Sequence, residues 1–296
     1  MNSKPVALKP KDRAKILIGS LLHPRQTRRW LQFVGQNEIL QDKLAQFPFA
    51  HSKIYRPYLS NRLCCAKRVD VLIAHYRFLS DFGLSDWVRD ASQQPQPLVQ
   101  LACKSGANMA LELSAIHEGH REGELCLRLV YKGEYIFAAS LVVFEEEGQP
   151  CLMLGRLQGK ATDQARELVR EATKDLYSTR PAGLLVLAAR HFAHLLGCSK
   201  VLLVSNHNRI SINLWRRWHI TSNYDQMWTE MEAVQRPDGN YELSALDKPF
   251  IDIEAIASKK RSEARKKLAL LEAMFEGLAL SLNTARSSGS SNAAKA

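Results

Sequence analysis

The sequence contains no C-x-x-C pair and no zinc-ligand spacing. Its six cysteines, at 64, 65, 103, 126, 151 and 198, lie mostly in apolar runs, the pattern of reduced core residues in a cytosolic protein. His117-Glu118-Gly119-His120 lacks the i, i+4 spacing of a helical zinc site, so no metal is expected. No window approaches the roughly 18 uninterrupted apolar residues of a membrane span. The apolar stretch Ile16–Leu22 is short and ends in His23-Pro24, without the small-residue cleavage site of a secretory leader. No G-x-S-x-G elbow is present, so no Ser-His-Asp hydrolase is expected. Internal repeats are absent.

Acidic residues are scarce at the start. Residues 1–68 hold 14 Lys/Arg and 3 Asp/Glu, which equals the net charge of +11 of all 296 residues. A second basic knot, Lys259–Lys267, carries six cations and one Glu. Cationic material near both ends suggests contact with phosphates of lipid or nucleic acid; a solvated surface explains it equally. No base-reading motif occurs, which places anionic lipid headgroups ahead of nucleic acid as partner.

Periodicity divides the chain into a basic, mainly helical region (1–96), a mixed core with a C-terminal helix (97–284) and a disordered tail (285–296). Residues 11–46 read as helices broken near Pro24, burying Trp30, Leu31, Phe33 and Val34. Pro48 to Ser60 reads as an extended crossing. Asn61 is placed to cap a helix to about Phe82, in which His75 reads as a half-buried imidazole. A short helix follows from Ser85.

LVQLACKS, MALELSAI, ELCLRLVY, YIFAASLVVF and CLMLGRLQ then form an antiparallel meander; in the third, Leu125, Leu127 and Leu129 alternate with Glu124, Cys126 and Arg128. Asp163 caps the next helix, Arg180-Pro181 ends it, and an apolar helix runs to Gly197. Lys200 begins a buried strand, Asn223 precedes a helix, Tyr241 lies in a strand, and a long helix covers about Glu254 to Leu282. The class is α/β (α+β): a meander continuing into a mixed sheet flanked by helices.

Two helices between the LMLGRLQ and VLLVS strands make those strands parallel and leave a splay at their ends. Gly155 and Gly159 there let the backbone approach a ligand. Arg156 and Gln158, separated by Leu157, share a face; with Gly159 and Lys160 they are candidates for an anion cradle. Lys174 and Arg180 are candidate substrate contacts, each explained as simply by a solvated or helix-end role. Ser205, Asn206 and His207 follow the parallel strand on the same edge, with His207 a candidate general base. Tyr224 is a further substrate contact, and Asp225 would assist deprotonation or orient an amine or arginine; packing with Trp228 is the simpler role.

These residues carry a resemblance. His75-Tyr76, REGELCLRL, Leu154-Gly155-Arg156-Leu157-Gln158-Gly159, Thr173-Lys174, Arg180-Pro181, Val204-Ser205-Asn206, Asn223-Tyr224-Asp225 with Trp228, and Ser258–Ser262 are similar to motifs of the VirK/YbjX family of bacterial proteins. The resemblance implies a role in virulence, envelope stress or resistance to cationic peptides, and carries no established catalytic residue. Family members often place Gly before the Arg-Pro, where this chain has Tyr177-Ser178-Thr179. The layout also resembles GNAT acyltransferases, which implies acyl-CoA held at a helix N-terminus, although the Q/R-x-x-G-x-G/A signature is missing. Two functions are therefore expected: acyl or aminoacyl transfer to an amine, or non-enzymatic binding of anionic lipid or nucleic acid, in the cytoplasm or peripherally at the inner membrane.

Overall fold

The computed structural model describes residues 10–46, 48–115, 121–160, 162–210 and 222–293. Five helices come first: α1 (Pro10–Leu22), α2 (Pro24–Val34), α3 (Glu38–Gln46), then α4 (Cys65–Asp81) and α5 (Ser85–Gln93) after a 3-10 helix at Pro48–Tyr55. The expected extended crossing is thus helical in its first half. Ser52, Lys53 and Ile54 are all buried, so this short helix is covered on more than one side. Leu31 is exposed, while Trp30, Phe33 and Val34 are buried as expected. Asn61 does not cap α4, whose N-cap is Cys64 with no side-chain bond; Asn61 instead donates to the His207 carbonyl at 2.8 Å.

The meander is β1 (Gln96–Ala102), β2 (Asn108–Ala115), β3 (Leu125–Tyr131), β4 (Glu134–Glu146) and β5 (Gln149–Gly159). α6 (Asp163–Asp175) and α7 (Pro181–Leu195) cross to β6 (Lys200–Leu203), followed by α8 (Tyr224–Glu230), β7 (Val234–Gln235), β8 (Tyr241–Ser244) and α9 (Ser258–Ala293). The strand order is β1-β2-β3-β4-β5-β6-β8-β7, antiparallel except for the β5–β6 pair. The expected tail from 285 is helical as far as Ala293. Asp163 is the first residue of α6 rather than its cap; Thr162 accepts from Ala165 N–H at 3.2 Å.

Leu111, Leu113, Leu127, Leu129 and Leu141 form the apolar side of the sheet, and the N-terminal helices share one buried core with it. α9 is the one described helix with the length and hydropathy of a membrane span. Its Leu271, Met274, Phe275 and Leu278 are buried, so that face belongs to the core.

Strands of unequal length leave backbone edges to be filled. β3 pairs with β4 only as far as Leu125–Leu141, so Val143 N–H has no strand partner and donates to His75 Nδ1 at 3.1 Å. β6 pairs with β5 only over Leu152–Leu154, while β5 continues to Gly159. There the Tyr224 hydroxyl accepts from Leu157 N–H and donates to Leu157 C=O, both at 2.9 Å. Two side chains thus stand in for absent strands, satisfying backbone groups that are costly to bury alone.

Candidate functional site

The residues after β6 form one polar knot. Asn206 N–H donates to Asp225 Oδ1 at 2.9 Å, and the Asn206 amide joins Asn223 and the Tyr224 backbone. Ser205 Oγ accepts from Asn208 N–H at 3.2 Å, and Asn240 Oδ1 bridges Ser205 and Asn208. The Arg209 guanidinium lies 4.9 Å from the Tyr224 ring centroid, and burial holds its pKa below the ordinary arginine value. Burial likewise raises the Tyr224 phenol, keeping it a neutral hydrogen-bonding group.

Ser205, Asn206, His207, Tyr224 and Asp225 are therefore brought together, but their bonding atoms serve one another. Arg62 Nη2 lies 2.5 Å from His207 Nε2. Arginine has no lone pair to offer, so Nε2 is the acceptor in this contact. That lone pair is not free to take a proton from a substrate. Asp225 organises the loop in the same way.

Arg156 and Gln158 do share a face, with Arg156 Nε donating to Gln158 Oε1 at 2.9 Å. Lys160 pairs with Glu134 at 3.2 Å. The glycines serve protein packing: a Cβ at Gly155 would collide with the Glu122 carbonyl oxygen, and one at Gly159 would sit 2.9 Å from the Phe137 ring. Lys174 is exposed at the end of α6, and the exposed Arg180 lies 3.6 Å from Glu230 rather than on the carbonyls of α6. The His117–His120 cluster and Ser211–Trp218 lie outside the described residues. No group of three or more potential metal ligands occurs among the described residues.

A second arrangement lies on α1 and α2. Leu17, Ile18, Leu21 and Leu22 are 62, 57, 72 and 70% exposed. The chain turns at His23-Pro24, and Gly19 packs against the Tyr55 ring, so α1 faces inward through its smallest residue. Leu31 lines a shallow hollow of about 600 Å³ with Ser20, Pro24, Thr27 and Arg28. Lys11, Arg13, Arg25 and Arg28 are exposed on the same two helices. Five of the eight exposed large apolar side chains among the described residues lie on these two helices.

The family profile described as "Protein of unknown function (DUF535)" matches residues 7–279. The chain belongs to the DUF535 family. It is 27% identical over 268 residues to "Uncharacterized protein YbjX" of Escherichia coli K12, covering 88% of this chain and 81% of that protein. An uncharacterized protein of Haemophilus influenzae is 26% identical over 255 residues, covering 86% of this chain and 84% of its own. The motif resemblance to VirK/YbjX proteins therefore holds. Among solved structures, a cAMP-binding acyltransferase from Mycobacterium smegmatis is similar at 11% identity and a TM-score of 0.28. The match covers 75% of this chain and 62% of that one, so the chain spans less than two thirds of the acyltransferase.

The start of α6 offers acyl-CoA only part of an anion site. A pyrophosphate needs free amides at a helix start. At α6 the Thr162 hydroxyl already takes Ala165 N–H, one of the free amides of the first turn, and the Asp163 carboxylate there is paired with Arg166 at 2.7 Å. The β5 edge beside the splay is occupied by Tyr224.

Sequence reasoning also missed a buried polar centre. Lys53 Nζ lies 2.7 and 2.9 Å from the Glu124 carboxylate oxygens, and the Tyr76 hydroxyl donates to Glu124 at 2.5 Å. Burial opposes the Glu124 charge, yet Lys53 and Tyr76 hold its pKa below the usual carboxylate value. Burial drives the His75 pKa down to about 4, so the ring is neutral. Lys53 and Glu124 are 71 residues apart, and Glu124 is held beside β4 by its N–H, which donates to the Leu141 carbonyl at 2.9 Å.

Proposed function

We infer that this DUF535 protein docks peripherally on an anionic bilayer through α1 and α2, without catalysis at the β5–β6 splay. The observation that carries this reading is the exposure of Leu17, Ile18, Leu21 and Leu22 on a helix followed by Arg25 and Arg28. Burying a leucine side chain is worth about 1.5–3 kcal/mol. Each nearby cation adds about 1 kcal/mol at an anionic surface. Together these exceed what a lone acyl anchor provides, and a helix lying in the interface needs no span. The basic knot of α9 supplies a second cationic surface, and Trp30, being buried, is not the interfacial aromatic.

Flotation with phosphatidylglycerol-containing vesicles tests this. The wild type should float with them and remain behind with neutral phosphatidylcholine vesicles. Leu21→Glu with Leu22→Glu should stay at the bottom while folding normally by circular dichroism. Equal flotation of variant and wild type would refute the assignment.

A further inference from the structure

The opening turns of α9 differ from the rest of that helix. Between Ser258 and Lys267 only Ala264 is buried; Leu268 is half-buried, and full burial begins at Leu270 and Leu271. This segment is therefore attached to the molecule along one narrow line. Arg261 is engaged locally, with the Glu254 carboxylate at 3.0 Å and the Ile256 and Glu254 carbonyls. Lys259, Lys260, Arg265, Lys266 and Lys267 have no ion-pair partner among the described residues. Glu263 is the one carboxylate in the segment, and it too is exposed and unpaired. Five free cations thus face one free carboxylate, whereas Lys132, Lys160, Lys200 and Arg236 on the sheet each meet an acid.

Helical geometry says where these charges point. At about 100° per residue, counted from Lys259, Lys267 and Lys260 fall near 80° and 100°, Lys266 near 340° and Arg265 near 240°. Ala264 and Leu268 fall near 140° and 180°, which is the attached side. The cations therefore cover an arc of roughly 220° that faces away from the protein. A flat surface touches one side of a helix, so it would reach either Arg265 or the Lys260–Lys267 pair. No large apolar side chain is exposed between Ser258 and Lys267, so this segment, unlike α1, has nothing to insert into a bilayer. A groove walled by two rows of phosphates meets both flanks of the arc at once. The major groove of B-form DNA, about 12 Å wide, admits an α-helix.

We propose that the start of α9 binds duplex DNA, lying in the major groove with its two flanks on the phosphates of opposite strands. Four of the five cations are lysines, compact point charges suited to phosphate oxygens, so the binding tracks charge and groove shape more than sequence. This activity is separate from docking by α1 and α2.

The test contains no bilayer. Full-length protein is titrated into a fluorescent duplex of about 20 base pairs, and anisotropy is read from about 50 to about 200 mM salt. Five neutralised phosphates give a slope near −4.5 in log K against log salt, which is about a 500-fold loss of affinity over that range. Arg265→Gln should make the slope shallower by about 1, and Lys260→Gln with Lys267→Gln by about 2, both folding normally by circular dichroism. Arg25→Gln with Arg28→Gln should keep the wild-type slope. A single strand of the same sequence should bind more weakly than the duplex. Absence of binding at the lowest salt, or an unchanged slope in both flank variants, overturns the proposal. So does a single strand held as tightly as the duplex. A slope altered in only one flank variant also overturns it, and assigns the arc to a flat anionic surface such as a bilayer.

Discussion

His75 and Tyr224 show how one side chain can finish a sheet. Each meets a backbone group that a shorter neighbouring strand has left without a partner. Tyr224→Phe keeps the ring beside Trp228 but deprives Leu157 of both bonds. The expected cost is about 1–3 kcal/mol by urea denaturation, since buried backbone groups are left unpaired. His75 predicts a pH dependence. Its folded pKa of about 4 lies below the ordinary 6.5, so the unfolded chain binds the proton first. The contribution is complete above about pH 6.5 and is lost as pH falls toward 4, reaching about 3 kcal/mol in all. Asn at this position retains an acceptor for Val143 N–H but does not titrate. His75→Asn should therefore lose less stability than wild type between pH 6.5 and 5. Glu124 does not blur this comparison, because its depressed pKa makes its own contribution fail only below the usual carboxylate range. Equal pH slopes for the two proteins would show that His75 is not the titrating group.

At the scale of elements, the sequence was legible wherever one face was buried against one neighbour. The alternation of β3 and the helical period of α6 located those elements, and the crossover made β5 and β6 parallel as expected. Legibility failed where distant segments meet. Asn61 has the chemistry of a cap, but its partners are His207 and Asn208, some 146 residues on. Gly155 looked like a ligand approach because nothing local discloses the Glu122 carbonyl lying against it. The short β7 has too little pattern to be seen. Leu31 read as core because a period of 3.6 identifies a stripe without saying how wide the covering neighbour is. The candidate site was legible as a cluster around Asn206 and Tyr224, whereas the bonding that occupies its atoms was not. In the link between α6 and α7, Tyr177 and Ser178 take φ of +51° and +64°. A side chain in that region costs about 1–2 kcal/mol. Ser178→Gly should therefore raise stability by about 0.5–1 kcal/mol, read as a higher Tm, because glycine's extra unfolded-state entropy offsets part of the relief.

At the scale of the whole molecule, charge and exposed apolar surface coincide at one end of the chain, and the two respond differently to salt. Residues 1–68 carry the entire net charge, while Leu17, Ile18, Leu21 and Leu22 lie exposed within the same stretch. Electrostatic attraction to a bilayer is screened over about 10 Å at 0.1 M salt and about 3 Å at 1 M. Apolar insertion is not screened. Arg25→Gln with Arg28→Gln should remove about 2 kcal/mol of attraction, roughly thirtyfold in partitioning onto phosphatidylglycerol vesicles at low salt. In about 1 M salt the same variant should bind as the wild type does. Leu21→Ser with Leu22→Ser should lose several kcal/mol at both salt concentrations, because about 1.5–3 kcal/mol of burial disappears with each leucine. A wild type whose binding vanished entirely in high salt would reveal attraction without insertion. The exposed leucines would then need a protein partner instead of a membrane.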